Sequence, residues 1–155
     1  MKNFIIIFLI FILSSVQVWA DCGDIPDLDS TEKGVTVYSH AHTIYDRTDG
    51  KEKTNDYLIV WNKDSKELCF SITTISNEYR ECYLDGKATK MRNNQYNYTR
   101  NECRVFLTFI KDKVKVKVVG SRGTNYCAGK DFGKDNGGCG MNTSIDSAIY
   151  KVRKK

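Results

Sequence analysis

Strict alternation of apolar and polar residues is the strongest pattern in this chain, and it predicts β-strands. Valines and lysines alternate over residues 113–118, which is typical of an antiparallel strand with one buried and one solvated face. A largely apolar run over residues 104–110 precedes this strand, and a tight turn at Lys111 and Asp112 joins the two. The sequence therefore predicts a hairpin near the core.

Further short strands are predicted on both sides of this hairpin. They cover residues 35–45, 57–62, 68–73 and 147–152. Asp85-Gly86 carries the signal of a two-residue hairpin turn, and Asn93-Asn94 marks another turn. No segment has a sustained helical period. Eight or nine short strands at regular spacing predict an all-β fold, a small antiparallel sandwich or barrel stapled by disulfides.

Residues 1–20 have the organisation of a secretory signal peptide. A basic start is followed by an apolar run over residues 4–13, and the small residue Ala20 ends a cleavage site. The apolar run is too short to cross a bilayer, which requires about 20 residues. We therefore expect a secreted or periplasmic protein, cleaved after Ala20, in which residues 21–155 form a single disulfide-rich β domain without a membrane span.

The cysteines support this compartment. All six lie in the predicted mature chain, as Cys22, Cys69, Cys82, Cys103, Cys127 and Cys139. An even number in an exported domain predicts three disulfides. Proximity along the predicted hairpins favours Cys127–Cys139 and Cys82–Cys103, which leaves Cys22–Cys69.

Charge is distributed unevenly along the chain. Residues 21–56 hold nine acidic and four basic residues, whereas residues 57–155 hold ten acidic and nineteen basic residues. A basic body favours acidic or polyanionic partners, and the alternative is that the charge serves solubility alone.

The glycine-rich segment 125–142 invites a metal or phosphate interpretation that its spacing excludes. Its two cysteines stand too far apart for a zinc-binding pair, its glycines and lysines do not form a P-loop, and its acidic oxygens are too few for a calcium loop. We expect a disulfide-closed loop with no metal and no cofactor. As a pre-ordered loop it is also a candidate for partner binding, through Tyr126, Lys130 and Lys134.

The lysine side of the predicted hairpin is a second candidate binding surface. Lys113, Lys115 and Lys117 share one face of their strand. They are suited to grip phosphates, and nucleic acid is therefore a candidate ligand beside a protein partner. The alternative is the solvated side of an edge strand, protected from pairing by its charge.

His40 and His42 are the only histidines, and they stand two apart on a predicted strand. Their imidazoles should lie side by side. The pair suits metal binding, which needs a third ligand that the sequence does not identify, or acid–base catalysis of RNA hydrolysis. The alternative is two polar residues on a half-exposed strand, without a catalytic or metal-binding role.

From Cys69 onward the order of cysteines, glycines and aromatic residues resembles a known group. The positions that carry the pattern are Phe70, Ile72, Thr74, Cys82, Leu84, Gly86, Ala88, Tyr96, Tyr98, Cys103, Val105, Leu107, Val114, Val116, Tyr126, Cys127, Cys139, Gly140, Ile149, Tyr150 and Lys151. In this part the chain resembles small exported bacterial β domains, some of which accompany lysozyme-inhibitor segments. The acidic segment 21–56 and the long loop between Cys127 and Cys139 depart from that pattern.

The resemblance implies a binding protein with no reaction of its own. We therefore expect a secreted or periplasmic binding or inhibitory protein that acts on a protein partner, such as a lysozyme-like hydrolase or the target of a host-directed effector. The acidic segment 21–56 would suit a basic target of this kind. The alternative is a small ribonuclease-like hydrolase that uses His40 and His42 with a lysine from the basic face.

Overall fold

The computed structural model describes residues 22–100, 103–119, 137–139, 145 and 147–153. These residues form nine strands, and a single turn of 3₁₀ helix lies between the third and fourth at Asn77–Tyr79. The strands are β1 Thr36–Asp46, β2 Gly50–Trp61, β3 Glu67–Ser76, β4 Arg80–Arg92, β5 Gln95–Arg100, β6 Cys103–Ile110, β7 Lys113–Val119, β8 Gly137–Cys139 and β9 Ala148–Val152. Among the described residues, no helix has the length and apolar character needed to span a membrane.

Eight of these strands close into an antiparallel barrel. Each of β1 to β6 pairs with the next strand in sequence, and β9 closes the ring by pairing with both β1 and β7. The short strand β8 lies outside this ring and adds to the first residues of β4. The prediction of an all-β fold is confirmed, and of its two forms the structure is the barrel.

The barrel interior is filled by the inward-facing residues of every barrel strand. In β7 the predicted alternation is confirmed, since Val114, Val116 and Val118 are buried whereas the three lysines are exposed. Aromatic residues from other strands fill the rest, including Tyr150 and Phe70, which are fully buried. Among the described residues, the centre of the barrel is therefore packed with side chains.

A second, smaller apolar cluster lies on the outside of the barrel. Ile59 and Trp61 face outward from β2 and are covered by the N-terminal segment that precedes β1. The disulfide Cys22–Cys69 fastens this segment to β3, and the Trp61 indole donates a hydrogen bond to the Cys22 carbonyl at 2.8 Å. The Cys22–Cys69 pairing predicted from the sequence is thus confirmed.

The other predicted disulfides involve residues that are only partly described. Cys82 and Cys103 are both disulfide-bonded, and no cysteine in the described part of the chain is free. The sheet places Cys82 directly opposite Cys139 of β8. The predicted Cys82–Cys103 and Cys127–Cys139 pairings stay predictions. Cys127 lies outside the described residues.

The predicted turn at Asp85-Gly86 is wrong, because both residues lie in the middle of β4. Gly86 is required there for space: a Cβ built on it would lie 2.4 Å from Cε2 of Tyr98, whose ring packs across the glycine. The hairpin turn before β4 is formed instead by Asn77–Tyr79, where Glu78 and Tyr79 adopt positive φ of 60° and 52°. The turns predicted at Asn93-Asn94 and Lys111-Asp112 are confirmed.

Candidate functional site

The most distinctive region of the barrel is the point where the β1–β2 hairpin separates from its neighbours. β1 and β2 stay paired to their turn, at Asp46 and Gly50. The pairing of β1 with β9, however, ends at Ser39, and the pairing of β2 with β3 ends at Tyr57. The outer part of the hairpin, residues 40–56, therefore projects from the barrel end; it is called the hairpin arm below.

Three polar side chains lie at the base of the hairpin arm. His40 is directly opposite Asp56 in the β1–β2 ladder, and His42 follows on the same face. The two imidazole rings are stacked, with centroids 5.9 Å apart and planes within 14° of parallel. Nδ1 of His42 lies 3.5 Å from Oδ2 of Asp56. The predicted side-by-side arrangement of the histidines is thus confirmed, and a carboxylate joins them.

Each of the three side chains is oriented by a backbone group of a neighbouring strand. His40 Nδ1 lies 3.1 Å from the carbonyl oxygen of Ile149, and His42 Nε2 lies 2.7 Å from that of Ile75. The Ile75 amide donates to Oδ1 of Asp56 at 2.8 Å. The backbone groups of Ile75 and Ile149 thus bond to these side chains. They would bond to the backbone of the hairpin arm if β1–β9 and β2–β3 pairing continued to this point.

These contacts determine which ring atoms remain available. A carbonyl oxygen only accepts hydrogen bonds, so Nδ1 of His40 and Nε2 of His42 must carry the protons. In the neutral rings, Nε2 of His40 and Nδ1 of His42 are then acceptors. One ligand atom from each histidine and one carboxylate oxygen of Asp56 can be chosen so that all three lie within 4.8 Å of one another.

A cavity of about 330 Å³ lies beside this cluster. Thr74 of β3, together with Ser147 and Ala148 near the start of β9, forms part of its wall. Asp56 is buried, whereas both histidines are half-buried. A small ligand or ion can therefore reach the imidazoles from this end of the barrel.

The turn Asn77–Tyr79 holds the end of β3 against the hairpin arm. The Asn77 side chain accepts a hydrogen bond from the Tyr45 amide at 2.8 Å, and Glu78 forms an ion pair with Arg47 at 2.6 Å. The Tyr79 hydroxyl donates to Glu52. Since Ile75 lies two residues before this turn, the same contacts place the backbone groups that orient His42 and Asp56.

The opposite end of the barrel is closed by the β2–β3 turn. Lys63 lies over the Phe109 ring, with Nζ 3.7 Å from the ring centroid, and the Tyr96 hydroxyl donates to the Asp64 carbonyl at 3.1 Å. Burial, and then the charge of Lys90, lowers the pKa of Lys63. This end is a packed aromatic cap, so the two ends of the barrel differ in chemistry.

The predicted lysine surface lies on the outside of the barrel. Lys113, Lys115 and Lys117 point outward from β7, while His40 and His42 point to the inner side of the sheet. On the adjacent strand, Lys151 stands directly opposite Lys113. The structure therefore does not bring the histidine pair and these lysines into one site.

Sequence reasoning missed Asp56. It lies in a polar stretch just before the apolar run that was predicted as a strand, and nothing local marks it as a ligand. Only the register of the β1–β2 hairpin, which places residue 56 opposite residue 40, reveals it. The predicted binding residues Tyr126, Lys130 and Lys134 lie outside the described residues.

Comparisons of the chain with protein-family models, with curated proteins and with solved structures find no match.

Proposed function

We propose that this is an exported binding protein that captures a protein partner through the outer surface of β7 and β9. This surface, called the basic face below, consists of Lys113, Lys115, Lys117 and Lys151. The observation that carries the proposal is the cross-strand pair of Lys113 and Lys151. Like charges directly opposite one another in a sheet are destabilising, by about 0.2–1 kcal/mol. A binding partner that supplies negative charge would relieve this repulsion.

The basic face is not neutralised within the described part of the chain. None of its four lysines forms an ion pair with a described acidic residue. Apolar side chains are interspersed with the lysines: Ile149, 51% exposed, stands opposite Lys115, and Ile110, 52% exposed, stands opposite Lys113. Exposed aliphatic groups within a charged rim are typical of protein interfaces.

A neighbouring acidic surface favours a protein over a nucleic acid. The N-terminal segment contains Asp24, Asp27 and Asp29, and it lies next to the end of β9, where Arg153 is 3.3 Å from Asp29. Neighbouring patches of opposite sign would orient a protein partner, whereas the acidic one would repel a phosphate backbone. The disulfide Cys22–Cys69 supports an oxidising, extracytoplasmic compartment.

The resemblance in the C-terminal part supports a lysozyme-like hydrolase as the partner. In that case the basic face would contact an acidic part of the hydrolase, and the acidic N-terminal segment would contact a basic part of it. The ribonuclease alternative has less support, because it needs His40, His42 and a lysine around one phosphate. In the described residues the lysines of β7 lie on the other side of the sheet.

The test is a binding series with charge-reversed variants. Oxidised protein comprising residues 21–155 is measured against polyglutamate, a panel of lysozymes and a single-stranded RNA, each at low and high salt. Lys115→Glu combined with Lys117→Glu should weaken polyglutamate binding at least about tenfold, equivalent to about 1.4 kcal/mol. The matched control reverses Lys51 and Lys53, which are exposed on the hairpin arm.

The outcomes separate the candidates. If reversing Lys51 and Lys53 weakens polyglutamate binding as much as reversing Lys115 and Lys117 does, net charge alone governs binding. That result would refute a specific role for the basic face. Stoichiometric inhibition of a lysozyme that weakens with salt and with Asp27→Asn would support the hydrolase as the partner. Cleavage of the RNA that disappears in His42→Ala would favour the ribonuclease alternative over the binding proposal.

A further inference from the structure

We propose that His40, His42 and Asp56 bind one divalent transition-metal ion of the zinc class at the base of the hairpin arm. This inference does not depend on the proposed partner or on the basic face. It rests on the kind of donor atoms, on their separations and on the way in which the backbone orients them.

The donor set suits such an ion. Two imidazole nitrogens and one carboxylate oxygen, with a further coordination position left open, are found in zinc sites and in other divalent metal sites with exchangeable ligands. Here the open position would face the cavity bordered by Thr74 and Ser147. A water molecule or an oxygen-bearing ligand can occupy it there.

The separations are close to those that a metal requires. With metal–ligand bonds of about 2.0–2.2 Å, the ligand atoms of a tetrahedral site lie about 3.4 Å apart. Nδ1 of His42 and Oδ2 of Asp56 are already 3.5 Å apart. One ligand atom from each of the three residues can be chosen so that all lie within 4.8 Å of one another, so each pair needs to approach by about 1.4 Å or less.

The three side chains are pre-oriented for this role. Metal-binding histidines usually donate their second ring N–H to a carbonyl or a carboxylate, which fixes the tautomer and the direction of the ligand nitrogen. His40 and His42 both do so, to Ile149 and Ile75, and Asp56 is fixed by the Ile75 amide through its other oxygen. His42 and Asp56 are therefore held through Nε2 and Oδ1, which leaves Nδ1 and Oδ2 facing each other for the ion.

The contact between His42 and Asp56 also favours a bound cation. With Nε2 of His42 donating to Ile75, a neutral ring presents an acceptor nitrogen to the Asp56 carboxylate, which is also an acceptor. A positive charge between these two atoms would turn their repulsion into attraction. A metal ion supplies that charge and also engages His40, whereas a proton on His42 satisfies only the His42–Asp56 pair.

The experiment uses the oxidised protein of residues 21–155, dialysed free of metal and titrated with Zn²⁺ by calorimetry and with Co²⁺ by visible absorption. We expect one ion per chain, a Co²⁺ spectrum of low coordination number with nitrogen ligands, and a melting temperature several degrees higher with Zn²⁺. His40→Gln, His42→Gln and Asp56→Asn should each weaken binding at least about 100-fold, since even residues that only support a ligand cost 10- to 100-fold.

The control is Glu81→Gln, which removes an exposed carboxylate on β4 and should bind like the parent protein. His40 and His42 are the only histidines in the chain, so adventitious binding to histidine elsewhere is excluded. His40 is half-buried, and its variant keeps the proposal testable if Asp56→Asn fails to fold. Absence of Zn²⁺ binding to the parent protein, or equal binding and stabilisation in His40→Gln and the parent, would overturn the proposal.

Discussion

The close packing of Tyr98 on Gly86 allows a quantitative test of the barrel core. Gly86→Ala adds a single methyl group, whose carbon would lie 2.4 Å from Cε2, 3.0 Å from Cδ2 and 3.1 Å from Cζ of the Tyr98 ring. Ordinary contact needs at least about 3.4 Å, so the ring must move by about 1 Å. It cannot do so freely, because it also packs in a T-shaped arrangement against Phe70, with centroids 5.2 Å apart.

Overpacking of this kind costs about 1–3 kcal/mol. The backbone of Gly86 is not in the left-handed region, so alanine introduces no strain of its own and recovers about 0.5 kcal/mol by restricting the unfolded chain. We therefore expect Gly86→Ala to lower the free energy of unfolding by about 2 kcal/mol. With a urea slope of about 2 kcal/mol/M, the midpoint falls by about 1 M.

The assay is urea unfolding of the oxidised protein, followed by the fluorescence of the buried Trp61 and by far-ultraviolet circular dichroism. A double-mutant cycle with Tyr98→Leu isolates the contact. In the leucine background Gly86→Ala should be neutral or slightly stabilising, which gives a coupling energy of about 2 kcal/mol. Gly34→Ala is the control, because Gly34 has φ of +93° and open space around it. Gly34→Ala should change the free energy of unfolding by the same amount with tyrosine or leucine at position 98. An equal cost of Gly86→Ala in the two backgrounds would refute the reasoning.

Three further predictions concern the periphery of the barrel. Replacing Cys22 and Cys69 together by serine removes a cross-link between residues 47 apart, which by chain entropy should cost about 4 kcal/mol, measurable as a shift of the urea midpoint. Asp64 accepts hydrogen bonds from two turn amides, which lowers its pKa below the ordinary 3.8. The stability that the Asp64 carboxylate contributes is therefore fully present above the ordinary pKa of 3.8. It is lost as the pH falls through the lower pKa that Asp64 has in the folded state. Acid titration of the melting temperature should accordingly be less steep for Asp64→Asn, and an unchanged profile would contradict this assignment. Lys151→Glu converts a like-charge pair with Lys113 into an opposite-charge pair, so thermal unfolding should show a gain of about 0.5 kcal/mol while polyglutamate binding weakens; a loss of stability would argue against repulsion across these strands.

Local patterns predicted most of the strands, because they depend on neighbouring residues. The alternation in β7 is a direct consequence of one buried face, and the turn at Asn93-Asn94 needs only two adjacent residues. The Asp85-Gly86 signal failed because glycine was present for a different reason. Its lack of a side chain accommodates Tyr98 from the neighbouring strand, and that contact cannot be read from the local sequence.

The candidate site likewise contains residues that the local sequence predicts and residues that depend on long-range pairing. His40 and His42 were found because two residues of one strand share a face at a spacing visible in the sequence. Asp56 was not found, because its proximity depends on the register of an entire hairpin. The backbone groups of Ile75 and Ile149 that orient these side chains could not be predicted either, because their positions depend on where the strands stop pairing. The closed barrel, rather than a sandwich, likewise results from long-range pairings such as β1 with β9.

That last pairing determines when the fold can be completed during synthesis. Hairpins such as β1–β2 and β6–β7 join neighbouring residues and can form within microseconds. The ring, however, stays open until β9, which follows all the other strands in the chain, inserts between β1 and β7. Until then both of those strands present unpaired edges, which favour aggregation. A nascent chain of this topology therefore cannot close its barrel until its final strand has emerged.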